Sequence, residues 1–98
     1  MILHIDGREV VTIAAFHEAL IRCGKFPDHY GANLMALSDS LTGDVERPFS
    51  VIWDYHEYSK RFMPKPAFDR IVETMQKVQQ RDAEVKKNKE HIFTLTLK

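Results

Sequence analysis

Ninety-eight residues make one domain, with chain enough for a single modest core and too little for two. With 44% hydrophobic and 29% charged residues, 4 Gly and 4 Pro, the composition is ordinary for a globular protein and excludes disorder, and no apolar run approaches the roughly 20 residues that cross a bilayer. The formal net charge is +0, and the lone cysteine, Cys23, excludes an internal disulfide and a cysteine metal cluster.

The opening stretch, MILHIDGREV, has acids where an export signal needs a cationic end, so the cytoplasm is the expected compartment. Ile2–Ile5 reads as a short strand that stops at the turn pair Asp6-Gly7. Thr12 is placed to cap a helix running to Cys23, with Ile13, Phe16, Leu20 and Cys23 on its inner face and Gly24 in the stop position. Cys23 is expected to be a buried, inert thiol. His17, one residue past the stripe, reads as surface or as a hydrogen-bonded flank.

The stretch Phe26–Gly43 predicts a bent loop and then one short helix capped by Asn33 and ended by Gly43. Phe49–Trp53 is nearly all apolar and β-rich, as in a strand covered on both faces, and Trp53 reads as core. Asp54 is expected to cap a short helix through Arg61, which Pro64 terminates. Pro66 suits the first turn of a long helix whose stripe is Phe68, Ile71, Val72, Met75 and Val78. That helix is expected to reach about Val85, before a basic turn Lys86–Lys89. Ile92–Leu97 is the last strand. The order β-α-α-β-α-α-β predicts an α/β fold, a small three-stranded parallel sheet packed with about four helices.

The helix after Asn33 holds the most informative pattern. At 100° per residue, Leu34, Leu37 and Leu41 share one side and Asp39 lies almost opposite, with Met35 one turn before it. A helix clamped by leucines that turns one acid and one flexible apolar side chain to solvent is suited to being touched, not to chemistry. Charge supports this. Residues 26–57 hold six acids (Asp28, Asp39, Asp44, Glu46, Asp54, Glu57) against the single base Arg47, while residues 58–98 hold ten bases against five acids. A negative patch of this kind repels phosphate backbones and attracts basic proteins.

The string His29-Tyr30-Gly31-Ala32-Asn33-Leu34, followed by Ala36-Leu37, Asp39, Leu41-Thr42-Gly43 and Val45-Glu46, resembles the barstar-like family of intracellular inhibitors of bacterial ribonucleases. The likeness extends more loosely over almost the whole chain, including His17, Pro48 and Tyr58-Ser59-Lys60. It implies a plug made of the second helix and the loop before it, seated in an active-site cleft. Asp39 then stands in for a substrate phosphate among the enzyme's cationic groups. His29 occupies the place of a tyrosine that stacks on the enzyme's catalytic histidine, and Gly31, Asn33, Thr42, Gly43 and Glu46 match contact-region residues. The implied partner is a basic bacterial ribonuclease or nuclease toxin domain, bound one to one by a monomer, with this chain as its immunity protein or antitoxin. No cofactor, metal or catalytic residue is implied.

This chain also departs from the family pattern. Met35 replaces an acid, Ser38 and Asp44 replace tryptophans, and Lys77 and Arg81 lie near positions where barstar places acids. The departures point to a different nuclease, with an apolar spot for Met35 and acids facing Lys77 or Arg81. The residues also carry blander readings. Asn33 is a helix cap, Gly31 and Gly43 serve the backbone through positive φ or close approach, Tyr30 divides between core wedge and contact, and Asp44 and Glu46 are equally well solvated rim.

Two other functions are open at this point. One is a barstar-fold scaffold or regulator without inhibitory activity, and the other a nucleic-acid module using Arg70, Lys77 and Arg81. The second is opposed by the interleaved acids Asp69, Glu73, Asp82 and Glu84. Catalysis is disfavoured, because His4, His17, His29, His56 and His91 form no metal-spaced pair and no phosphate-binding glycine loop occurs.

Overall fold

The computed structural model describes residues 1–86 and 90–98, so most of the expected basic turn Lys86–Lys89 lies outside the described residues. Three strands, β1 (Ile2–Asp6), β2 (Phe49–Asp54) and β3 (Phe93–Leu97), form one parallel sheet in the order β1-β2-β3. Four helices join them: α1 (Ile13–Arg22), α2 (Leu34–Gly43), α3 (His56–Phe62) and α4 (Lys65–Val85). Fold class and element order agree with the sequence pattern.

Local chemistry accounts for most boundaries. The Thr12 hydroxyl accepts the Ala15 amide at 3.0 Å, and the Asn33 side chain accepts the Ala36 amide at 2.8 Å, so both expected caps form. Gly24 takes the left-handed φ of +77° that ends α1. Pro66 sits in the first turn of α4, where its missing N–H costs nothing. Asp54 does not cap α3. Its carboxylate meets His4 Nδ1 at 3.0 Å, and the chain enters α3 through Tyr55 in the left-handed region (φ 52°). That turn requires Gly7, since a Cβ there would stand 2.0 Å from the Tyr55 carbonyl oxygen.

The helices cover only one sheet face. Along β2, Phe49, Val51 and Trp53 are fully buried while Ser50, Ile52 and Asp54 are half-exposed, so the strand expected to be covered on both sides is covered on one. On the outer face the Ser50 and Thr94 hydroxyls lie 2.7 Å apart. On the inner face Phe16 stacks on Trp53 at 5.2 Å, and Phe68 meets the same ring edge-on at 5.2 Å. Trp53 Nε1 donates to Ser59 Oγ at 2.9 Å, and Ser59 Oγ donates to the Val10 carbonyl at 2.6 Å, so the indole is core. Cys23 is half-buried, not sealed.

Helix α2 packs chiefly along α4. Leu37 and Leu41 are fully buried and Leu34 partly, which confirms the helical phase. Leu37→Ala should destabilise the domain by about 2–5 kcal/mol through the cavity it leaves. A urea titration checks this, and an unchanged midpoint would contradict the burial.

Candidate functional site

The loop before α2 is shaped by Phe26 and Tyr30. Phe26 is buried, its ring meets Tyr30 edge-on at 5.0 Å, and the Tyr30 amide donates to the Pro27 carbonyl at 3.0 Å. The Tyr30 phenol lies 2.6 Å from His17 Nδ1. His17 is only 3% exposed, so its reading as surface is wrong, and the hydrogen-bonded alternative holds. Burial raises the phenol above its ordinary range and lowers the imidazole below its own. The contact is thus a hydrogen bond between a neutral phenol and a neutral imidazole, and Tyr30 is half core wedge. Ala32 then takes a left-handed φ of 52°, a strain of about 1–3 kcal/mol, and the chain turns into the Asn33 cap.

From that brace the outward residues project together. His29, Tyr30, Gly31, Asn33, Met35, Asp39 and Asp44 line one shallow depression of about 290 Å³, joined by Ala36 and Ser40, which sequence reasoning did not single out. Thr42, Gly43 and Glu46 are exposed at the end of α2 and just beyond it, outside that depression. Met35 is 75% exposed. Neither Gly31 nor Gly43 has a left-handed φ, and a Cβ on Gly43 would meet nothing within 4 Å, so the fold itself does not require glycine at 43.

The carboxylates of Asp39, Asp44 and Glu46 have no hydrogen-bond or ion-pair partner among the described residues. The one base of this third of the chain is turned inward. Arg47 is only 10% exposed, its Nε donates to Asp82 Oδ2 at 2.6 Å, and its Nη1 donates to the Val45 carbonyl at 2.8 Å. Asp82 is fully buried and also accepts the Phe93 amide at 2.8 Å. Burial alone would raise this carboxyl, but Arg47 and the Phe93 amide outweigh it and hold it below the usual carboxylate range.

Sequence reasoning missed this pair. The signal was an acid in the buried phase of α4, one turn after Val78. The pair also orients α2. Its start lies by Ala67, Arg70 and Ile71, and the segment after it is tied to Asp82, so α2 and α4 run side by side in the same direction. Lys77 and Arg81 are exposed on α4, and Arg81 lies 3.9 Å from Asp82.

A model of the family described as Barstar (barnase inhibitor) matches residues 1–98. The chain belongs to the barstar family. A curated relative from Bacillus subtilis (strain 168), "Putative ribonuclease inhibitor YrdF", is 40% identical over 76 residues, which is 78% of this chain and 82% of the relative. The depression and the carboxylates around it thus lie on the segment that carries the barstar resemblance. Among the described residues, no group of three His, Cys, Asp or Glu could hold a metal ion, and no helix is long and apolar enough to cross a membrane.

Asp82→Ala should cost about 3–5 kcal/mol, because it strands the buried Arg47 charge and the Phe93 amide. Chemical denaturation reads this directly, and a loss below 1 kcal/mol would contradict the geometry. His17 predicts a second effect. Its folded pKa lies below the ordinary 6.5, so the unfolded chain takes up the proton first. The stability it contributes is complete above pH 6.5 and is lost as pH falls from there through the folded value. The thermal midpoint should drop between pH 7 and pH 5, with a shallower slope in His17→Gln.

Proposed function

We propose that this chain is a protein inhibitor of a bacterial ribonuclease, an immunity protein or antitoxin, and that it plugs a cationic active-site cleft with residues 26–46. One observation supports the reading most strongly. The carboxylate of Asp39 stands exposed and, among the described residues, unpartnered on a helix, in a stretch (26–57) whose only base, Arg47, is turned inward into a different ion pair. A ribonuclease cleft is cationic because it binds phosphate, so a fixed carboxylate satisfies the same guanidinium and ammonium groups. Membership of the barstar family, and a relative whose name describes a ribonuclease inhibitor, support the same role.

The contributions differ by residue. Asp39 is the phosphate mimic, with Asp44 and Glu46 adding negative potential around it. Met35 supplies an adaptable apolar contact. His29 offers a ring for stacking, with Tyr30 and Asn33 holding the loop behind it. Gly31, Thr42 and Gly43 present backbone, and at Gly43 the open space where a Cβ would stand lets a partner approach closely. The complex is one to one and cytoplasmic. Charge steering is part of the mechanism, and barnase with barstar is the reference case for it.

Asp39→Ala should weaken binding to the nuclease by at least about 2 kcal/mol, the threshold of an interface hot spot, mostly through faster dissociation. Surface plasmon resonance at two salt concentrations checks this, with association in the parent chain faster at low salt. Undiminished inhibition by the variant would overturn the plug. A folded chain that binds no nuclease would point to the scaffold role, and RNA binding with a steep salt slope to the nucleic-acid role.

A further inference from the structure

The sheet has two edge strands, β1 and β3, and they end the ladder differently. On β3 the outward amides of Phe93 and Leu95 are taken by α4, the first by Asp82 Oδ2 at 2.8 Å and the second by Gln79 Oε1 at 2.6 Å. That edge is closed. On β1 the Met1 carbonyl accepts the Ser50 amide and the Gly7 amide donates to the Asp54 carbonyl. The ladder therefore turns the N–H and C=O groups of Ile2, His4 and Asp6 away from β2. The Asp6 carbonyl accepts the Glu9 and Val10 amides, each at 3.0 Å, and the backbone of Ile2 and His4 is left to solvent.

Nothing in the sequence guards this open edge. Residues 1–5 include no Lys, Arg, Asp, Glu or Pro, the residue types that blunt edge strands, and Ile2 is 62% exposed. A groove of about 330 Å³ runs beside the edge, between β1 and α1, with Leu3, Ile5, Ala15 and Ala19 among its walls. Its charges are polarised. Asp6 and Glu9 line the end where β1 leaves the sheet, and Arg22 lines the opposite end, where α1 stops. The Arg22 contact with Glu18, at 3.6 Å, is a surface pair that is readily exchanged.

We propose that this edge pairs with the same edge of a second copy of the chain, β1 against β1 in antiparallel register about a two-fold axis. The two sheets then become one of six strands. The register that fits is centred on Leu3. It exchanges four N–H···O=C bonds between Ile2 of one copy and His4 of the other, sets Leu3 against Leu3, and places Met1 beside Ile5. A register centred on His4 would call on the Asp6 backbone, whose carbonyl the turn already uses.

Charge selects the same arrangement. Antiparallel pairing lays the Asp6–Glu9 end of each groove over the Arg22 end of the other, whereas parallel pairing sets like charges together. The closed β3 edge disfavours a β1-to-β3 contact, which would propagate into a filament, so association stops at the dimer. No residue lines both this groove and the depression around Asp39, so each copy keeps its nuclease-binding face. The dimer takes the place of the monomer that the family resemblance implies, and it does not depend on the inhibitor reading.

Sedimentation velocity over a concentration series reaching the millimolar range tests the pairing. The parent should move from the chain mass of 11.4 kDa to twice that mass. Ile2→Pro removes an outward N–H while sparing the bonds to β2, and should raise the dimer dissociation constant at least about tenfold. Ile2→Lys, at the same exposed position, should do likewise. Arg22→Glu and Glu9→Arg each alter an exposed side chain and should each weaken the dimer, and the two together should restore it. Hydrogen exchange supplies a second readout, with the Ile2 and His4 amides slowed in the dimer and fast on dilution.

A parent that stays monomeric throughout, masses that grow beyond the dimer, a dimer that survives both changes at Ile2, or a charge swap that fails to restore association overturns the pairing. Protection of the Ile2 and His4 amides only when barnase is added would also overturn it, and would assign the edge to the nuclease.

Discussion

The contact between Arg47 and Asp82 underlies both the shape and the charge of the proposed binding face. A guanidinium at 10% exposure and a fully buried carboxylate are costly to take out of water, and such a pair holds only if its remaining hydrogen-bonding groups are satisfied. Here they are: the Val45 carbonyl takes one guanidinium N–H, and the Phe93 amide donates to the carboxylate. One pair of side chains thus joins the segment after α2, the last turns of α4 and the start of β3. It also withdraws from the surface the only base between residues 26 and 57. Without that withdrawal, Asp44 and Glu46 would sit beside their own counter-ion, and the potential presented to a cationic partner would be weaker.

The one-sided sheet complements this arrangement. Parallel sheets usually have helices on both faces. Here Phe49, Val51 and Trp53 face four helices, and the opposite face of β2 is left to Ser50, Ile52 and Asp54. With every helix on one side, α2 is carried mainly by α4 and not laid across the sheet. One side of α2 is therefore needed for packing, and the other is free for its full length. A free helix face supported by a longer helix is stiff, and a partner that binds it spends little free energy on ordering it.

What the sequence made legible follows from how local the code is. The phase of α2, the caps at Thr12 and Asn33, and the placement of Pro66 depend on neighbours within about one turn, and all were readable. The misses depend on what crosses over an element. At 100° per residue, Ile13 and Leu20 lie inside an arc of about 100° on α1 bounded by Phe16 and His17, so periodicity alone turns all four inward and cannot show what covers each. Tyr30, thirteen residues after His17, covers His17, and Ile13, the first residue of α1, stays 42% exposed. The same reason explains Asp54, which turned to His4 across the sheet instead of capping α3. The site residues around the depression were legible as a group because they follow one short loop and one helix. The Arg47–Asp82 clamp spans 35 residues, and only the misplaced acid in the α4 stripe hinted at it.

Two phases of one helix therefore carry different burdens. Leu37 and Leu41 face α4 and the core, and the depression they support is lined by Met35, Asp39 and Asp44. Substitution in the outward phase leaves no cavity and strands no buried charge, so its cost to stability is small. The departures from the family pattern at Met35, Ser38 and Asp44 lie on the exposed or half-exposed side of α2 and its end, whereas the leucines are retained. A scaffold built in this way can change partner by exchanging a few outward side chains while its core and its clamp stay the same. Under the proposed inhibitor role, Lys77 and Arg81 extend that logic to the neighbouring helix, where positive charges would disfavour a uniformly cationic nuclease and favour one with acids next to its cleft.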